Sequence, residues 1–122
     1  MTCEEFDAWI ANLTQQIAAK NAQINTQTGV VALAYADART ADTLPNGPMA
    51  LPITDANIMA RIMALYMFFL DPTKVQAAQA AVNAYYALKT DFDNLTMMQI
   101  QLTGLQQQLS FVVVAKFNAN CP

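Results

Sequence analysis

From Pro72 to about Phe117 the sequence carries an amphipathic helical pattern with no proline or glycine cluster to stop it. This run constrains the fold more than any other feature. In its second half Leu95, Met98, Leu102, Leu105, Leu109, Val112 and Lys116 recur at alternating steps of three and four, the spacing of a coiled-coil seam. In its first half the matching row is Val75, Ala78, Val82, Tyr85, Lys89 and Phe92. The rows join through Phe92, Leu95 and Met98 with two successive steps of three, which locally overwinds a coiled coil. Asp91, Asp93 and Asn94 sit at that join, so the pattern predicts either a kink over 91–94 or a continuous helix. Unbroken over 72–117, it would extend ~69 Å at ~1.5 Å per residue.

A first helix is predicted over about 3–39. Thr2 and Glu5 form the Thr-x-x-Glu capping box, and Glu4, Glu5 and Asp7 lie where the helix dipole favours negative charge. Ile10, Leu13, Ile17, Ile24 and Val31 form its seam, β-branched at one position almost throughout, which suits a close-packed helical pair. Lys20 and Gln27 interrupt the other position; they either fix the register of the pair or face solvent, and the second is the preferred reading.

Over 40–53 the pattern breaks. Pro45, Pro48 and Pro52 prevent a helix, and Pro45-Asn46-Gly47 is a turn signal. Leu44, Met49, Leu51 and Ile53 mark an ordered connector lying on helices rather than a free linker. Thr54 or Asp55 then caps a second helix over 54–70, and Asp71-Pro72 restarts the chain as N-cap and first helical residue of the long helix. From Ile58 to Leu70 every residue except Arg61 is apolar, and a helix apolar on all sides must be covered on all sides. At about 20 Å it is too short for a ~30 Å hydrocarbon core. It therefore reads as a buried core or interface helix.

The fold class that follows is all-α: an elongated antiparallel helical hairpin or bundle, coiled-coil-like, with a short apolar middle helix after a proline-rich connector, in one domain of 122 residues. Antiparallel packing of the first and last helices brings Cys3 and Cys121, the only cysteines, to the same end. They are the candidate disulfide. The first helix covers only the later part of the long one, so the second helix packs beside the earlier part, about 72–86. With so few neighbours it keeps an apolar face, and the oligomer contact is expected at Ile58, Met59, Ile62, Met63, Tyr66, Met67, Phe69 and Leu70.

Charge narrows the function. Only 12% of residues are charged, against about 25% in a typical soluble domain, and Gln, Asn and Thr fill the polar positions. A long-helix chain with so few charges implies that much surface is covered by other copies. The net charge of −3 with six scattered Lys and Arg leaves no basic patch for nucleic acid. There is no His, no Cys-x-x-Cys and no glycine-rich loop, so neither a catalytic set, a cofactor nor a metal site is expected. Asp91-Phe92-Asp93-Asn94 opens like a calcium loop but continues Leu95-Thr96, where an oxygen ligand and a glycine are required. Asn12-Leu13-Thr14 and Asn94-Leu95-Thr96 match the glycosylation sequon by chance, with Leu13 and Leu95 on the seams.

These features point to a non-enzymatic structural subunit of a large homo-oligomeric assembly, of the kind found in virions as a bacteriophage capsid, neck or tail accessory protein. Its expected partners are copies of itself and other structural proteins. The acidic start, with no apolar run behind it, predicts synthesis in the cytoplasm without a cleavable signal peptide and residence in a virion or extracellular assembly. Two other readings compete. One is a membrane-acting protein lying on or inserting into a bilayer through residues 58–70, against which stands the absence of a polybasic flank. The other is a small-molecule-binding bundle with a pocket between the second helix and the early long helix, offering Arg61 and tyrosine hydroxyls.

Overall fold

The computed structural model describes residues 1–122. It is all-α, a helical hairpin of long helices with a shorter helix between them: α1 spans Cys3–Ala41, α2 Asp55–Tyr66, and α3 Val75–Asn118. The Glu5 amide donates to Thr2 Oγ1 at 3.1 Å, and Glu5 Oε1 accepts from the Thr2 amide at 3.5 Å, so the capping box fixes where α1 begins. α2 starts where Thr54 Oγ1 accepts from the Asn57 amide. Its last turn tightens into a 3-10 helix over Met67–Leu70, so the expected α-helix to Leu70 ends four residues early. Asp71 then does cap the following turn, accepting from the Thr73 amide and hydroxyl at 2.9 and 2.7 Å. Regular α-helical structure begins only at Val75.

α3 is unbroken across 91–94, which resolves the choice left by the heptad join in favour of continuity. Its polar residues find partners without leaving the helix. Lys89 Nζ reaches Asp93 Oδ2 one turn on at 2.7 Å, and the Asp91 carbonyl accepts from Gln27 Nε2 at 2.8 Å.

The residues pack as two compact units, Met1–Thr26 with Thr96–Pro122, and Gln27–Leu95. In the first, the opening of α1 lies against the end of α3. Phe6, Leu13 and Val112 are buried, with Ile10, Leu105, Leu109, Ala115 and Cys121 packed on them. Ile17, Ile24, Met98 and Leu102 remain half-buried, as they must where two helices have no third to close the seam. Cys3 and Cys121 are joined as a disulfide with Cα atoms 5.6 Å apart. Lys116 pairs with Asp7. Lys20 Nζ donates to Gln101 Oε1 on the facing helix at 2.9 Å. Lys20 and Gln27 therefore do not simply face solvent: each reaches across to α3, where a long polar side chain can satisfy itself on the partner helix while its stem stays on the seam.

The second unit has the fuller core. Val31 and Ala38 of α1, Ile58, Ile62 and Leu65 of α2, and Ala78, Ala81, Val82, Tyr85, Leu88 and Leu95 of α3 are buried, together with Leu44 and Met49 from the connector. Hydrogen bonds hold the connector on the helices: Met49 donates its amide to Tyr85 Oη and accepts at its carbonyl from Tyr35 Oη, at 3.0 and 3.2 Å. Asn57 Nδ2 donates to the Pro52 carbonyl at 2.8 Å.

Candidate functional site

What α2 shows to solvent is decided by what it must hide. Arg61 interrupts an apolar run, and a guanidinium in such a helix is tolerated only if paired. It turns inward to Asp42, just past the end of α1: Nε and Nη2 reach Oδ2 and Oδ1 at 2.7 and 2.8 Å. Tyr85 of α3 donates to the same Asp42 Oδ2 at 2.7 Å, and the Leu44 amide donates to Oδ1 at 3.3 Å. Both charged groups are buried, and no buried side-chain polar atom lacks a partner.

The electrostatics follow from that closure. Burial alone would push the Asp42 carboxyl up, but hydrogen bonds from Arg61 and Tyr85 outweigh it and hold the carboxyl below its ordinary value. The hydrogen bond to Asp42 holds Arg61 firmly protonated, against the effect of burial. Burial pushes the Tyr85 hydroxyl up to about 12, with the Asp42 carboxylate adding to the effect. Gly47 lies against this cluster so closely that a Cβ there would stand 2.5 Å from Arg61 Nη2 and from both Asp42 carboxylate oxygens. No side chain fits.

With Arg61 drawn inward, Ile58, Ile62 and Leu65 follow it at helical spacing and are fully buried. The expected oligomer contact is corrected here. Ile58 and Ile62 belong to the chain's own core and are not available to a partner. The opposite stripe is what remains: Met59 is half-buried, whereas Met63, Tyr66, Met67 and Leu70 are 66%, 43%, 77% and 91% exposed. Phe69 is half-buried, with its ring edge-on to Tyr66 at 5.1 Å. Met59, Met63, Met67 and Leu70 follow one another at steps of four, four and three, with no charged residue among them.

Comparisons with known proteins give no lead of their own: no family model matches the chain, nor does a curated protein or a solved structure.

The other expected features can be placed residue by residue. No helix is long and apolar enough to cross a membrane. A shallow hollow lies between α2, its 3-10 end and α3, lined by Tyr66, Phe69, Gln79, Val82, Asn83 and Tyr86. Arg61 is not part of it, and the Tyr66 and Tyr86 hydroxyls hydrogen-bond to one another at 3.2 Å. No group of three or more acidic or cysteine side chains is placed to hold a metal ion. Of the seam residues, Leu13, Val31, Leu95 and Val112 are buried and Ile10, Ile17, Ile24, Met98, Leu102, Leu105 and Leu109 half-buried.

The Asp42–Arg61–Tyr85 cluster was not foreseen from the sequence. One signal pointed to it: a lone Arg in an apolar helix needs a carboxylate, and Asp42 stands at the start of the connector that must return past it.

Proposed function

We propose that the protein is a non-enzymatic structural subunit of a homo-oligomeric assembly, and that it meets other copies through the outer stripe of α2 and its 3-10 end. One observation carries this reading: Met63, Met67 and Leu70 stand out from the surface together while the inward face of the same helix is fixed by a buried ion pair. Burying each such side chain is worth about 1.5–3 kcal/mol, and contiguous apolar patches of this kind mark interaction sites. Methionines suit a contact that must adapt to its neighbour.

The low charge and amide-rich composition support placement in a particle whose subunits cover one another, and the assembly class we propose is a virion component such as a bacteriophage capsid, neck or tail accessory protein. The non-enzymatic part is supported by the chain's buried ionisable groups, which are closed off from solvent and fully engaged with each other. Electron microscopy of the purified protein tests the reading. Rings, filaments, shells or other repeating particles are the expected result, and a field of single chains at micromolar concentration contradicts it. Flotation with liposomes in place of self-assembly would replace this reading with a membrane-surface role for the same stripe.

A further inference from the structure

The end of α3 carries a second uncovered apolar stripe. In the unit formed by Met1–Thr26 and Thr96–Pro122, the side of α3 carrying Leu102, Leu105, Leu109 and Val112 faces α1. On the opposite side, at 3.6 residues per turn, lie Ile100, Gly104, Gln107, Phe111 and Val114. Ile100, Phe111 and Val114 are 62%, 69% and 56% exposed. From Asn94 to Ala115 no residue carries a charge.

Gly104 is the informative member. Mid-helix glycine costs up to about 1 kcal/mol relative to Ala, yet a Cβ at Gly104 would meet nothing within 4 Å. Nothing inside the chain requires its absence. Above it is an open hollow of about 420 Å³, flanked by Ile100, Thr103 and Gln107, and about two turns further along the same stripe Phe111 projects into solvent.

We infer that this stripe is an isologous, antiparallel contact between two copies of the chain, in which Phe111 of each copy fills the hollow over Gly104 of the other. The stripe is nearly mirror-symmetric about Gln107: Ile100 and Val114 lie seven residues either side of it, and Gly104 and Phe111 three and four. A two-fold axis at Gln107 therefore sets Phe111 against Gly104 twice, Ile100 beside Val114 twice, and the two Gln107 amides together. Such self-complementarity is what a two-fold interface demands.

A charged partner would find nothing to pair with between Asn94 and Ala115, whereas a second neutral stripe leaves no charge buried. The area is sufficient as well. Met97, at the edge of the stripe and 56% exposed, adds to Ile100, Phe111 and Val114; each offers roughly 100 Å² of apolar surface, together close to the apolar half of the ~800 Å² per partner of a standard interface. The inference rests on the reading that the chain assembles with itself. With two separate self-contacts, one on each unit, a copy can bind more than one neighbour, and association continues past a dimer.

The test uses the full chain carrying Met63→Glu and Met67→Glu, which disables the α2 stripe. Sedimentation equilibrium of this variant is expected to show dimers. Adding Phe111→Asp should weaken dimerisation by at least about 100-fold, because a two-fold contact loses two Phe side chains, while Ser110→Asp, turned off the stripe, changes it by less than about threefold. Helix content by circular dichroism stays constant because Phe111 is exposed. Under mild oxidation Gln107→Cys should form a covalent dimer much faster than the neighbouring Gln106→Cys. A monomeric Met63→Glu/Met67→Glu chain, or equal cross-linking at the two positions, overturns the inference. If the wild type still assembles in that case, the α2 contact stands alone; if the wild type is itself monomeric, both contacts fall.

Discussion

Asp42 and Arg61 form a two-pronged ion pair at 2.7 and 2.8 Å, with both residues buried and the pair shared among the end of α1, the connector and α2. Tyr85 closes it from α3. This one cluster sets the rotation of α2, so it decides which apolar side chains become core and which become surface.

Breaking the pair from one side leaves a buried charge alone. Asp42→Ala and Arg61→Ala should each cost about 3–5 kcal/mol, while the double replacement Asp42→Leu with Arg61→Met should cost far less than the sum. Urea unfolding of the two single variants and the double variant measures the difference. Single variants close to wild-type stability would show that the pair is not holding the connector.

Gly47→Ala should destabilise by an amount similar to loss of the pair, since its Cβ would stand 2.5 Å from Arg61 Nη2 and the Asp42 carboxylate. In the Asp42→Leu/Arg61→Met background the penalty should change, because the two sites share partners. Thermal denaturation of the four proteins checks it, and a neutral Gly47→Ala contradicts the packing described.

The cluster also fixes how stability depends on pH. Tyr85 titrates at about 12 in the fold against an ordinary value of 10, so its neutral form is favoured when folded. Its contribution is complete below pH 10 and is lost as the pH rises towards 12, amounting to roughly 2–3 kcal/mol. Asp42 behaves oppositely: with a folded value lowered from 3.8, its contribution is present above about pH 4 and disappears as the pH falls through the folded value. Tyr85→Phe should be less stable than wild type at neutral pH, since the Met49 amide and Asp42 each lose a partner, and should lose less further stability between pH 10 and 12. Equal alkaline slopes for the two proteins would contradict this.

The Cys3–Cys121 bridge closes a loop with a sequence separation of 118. In the chain-entropy model such a closure stabilises by about 4–5 kcal/mol. Reduction, or Cys3→Ser, should therefore lower the urea midpoint substantially, most of all for the unit in which only Phe6, Leu13 and Val112 are buried. An unchanged midpoint on reduction would show that the α1 and α3 ends are held by packing alone.

Much of this fold was legible in the residues. The capping box at Thr2 and Glu5, the connector prolines and the three-four spacing located every helix, because each is a local signal. The antiparallel pairing that brings Cys3 to Cys121 followed from chain connectivity. What escaped was rotational: periodicity cannot choose an inward face for a helix in which Ile58 to Leu70 is apolar on every side. The choice came from Arg61 and its distant partner Asp42, a contact between residues far apart in sequence. Between the two readings of the polar seam residues, the preference for solvent failed for a related reason. Lys20 and Gln27 read as solvent-facing until a facing acceptor, at Gln101 and at the Asp91 carbonyl, is in place.

The outer stripe of α2 is proposed to join copies of the chain. Multi-angle light scattering of the wild type over a range of micromolar concentrations, beside Met63→Glu/Met67→Glu, tests it most directly. The wild-type mass is expected to rise with concentration well beyond 13.3 kDa, and the variant to assemble less while keeping its helix content by circular dichroism. A wild type that stays at the monomer mass throughout, or a variant that assembles as the wild type does, contradicts it.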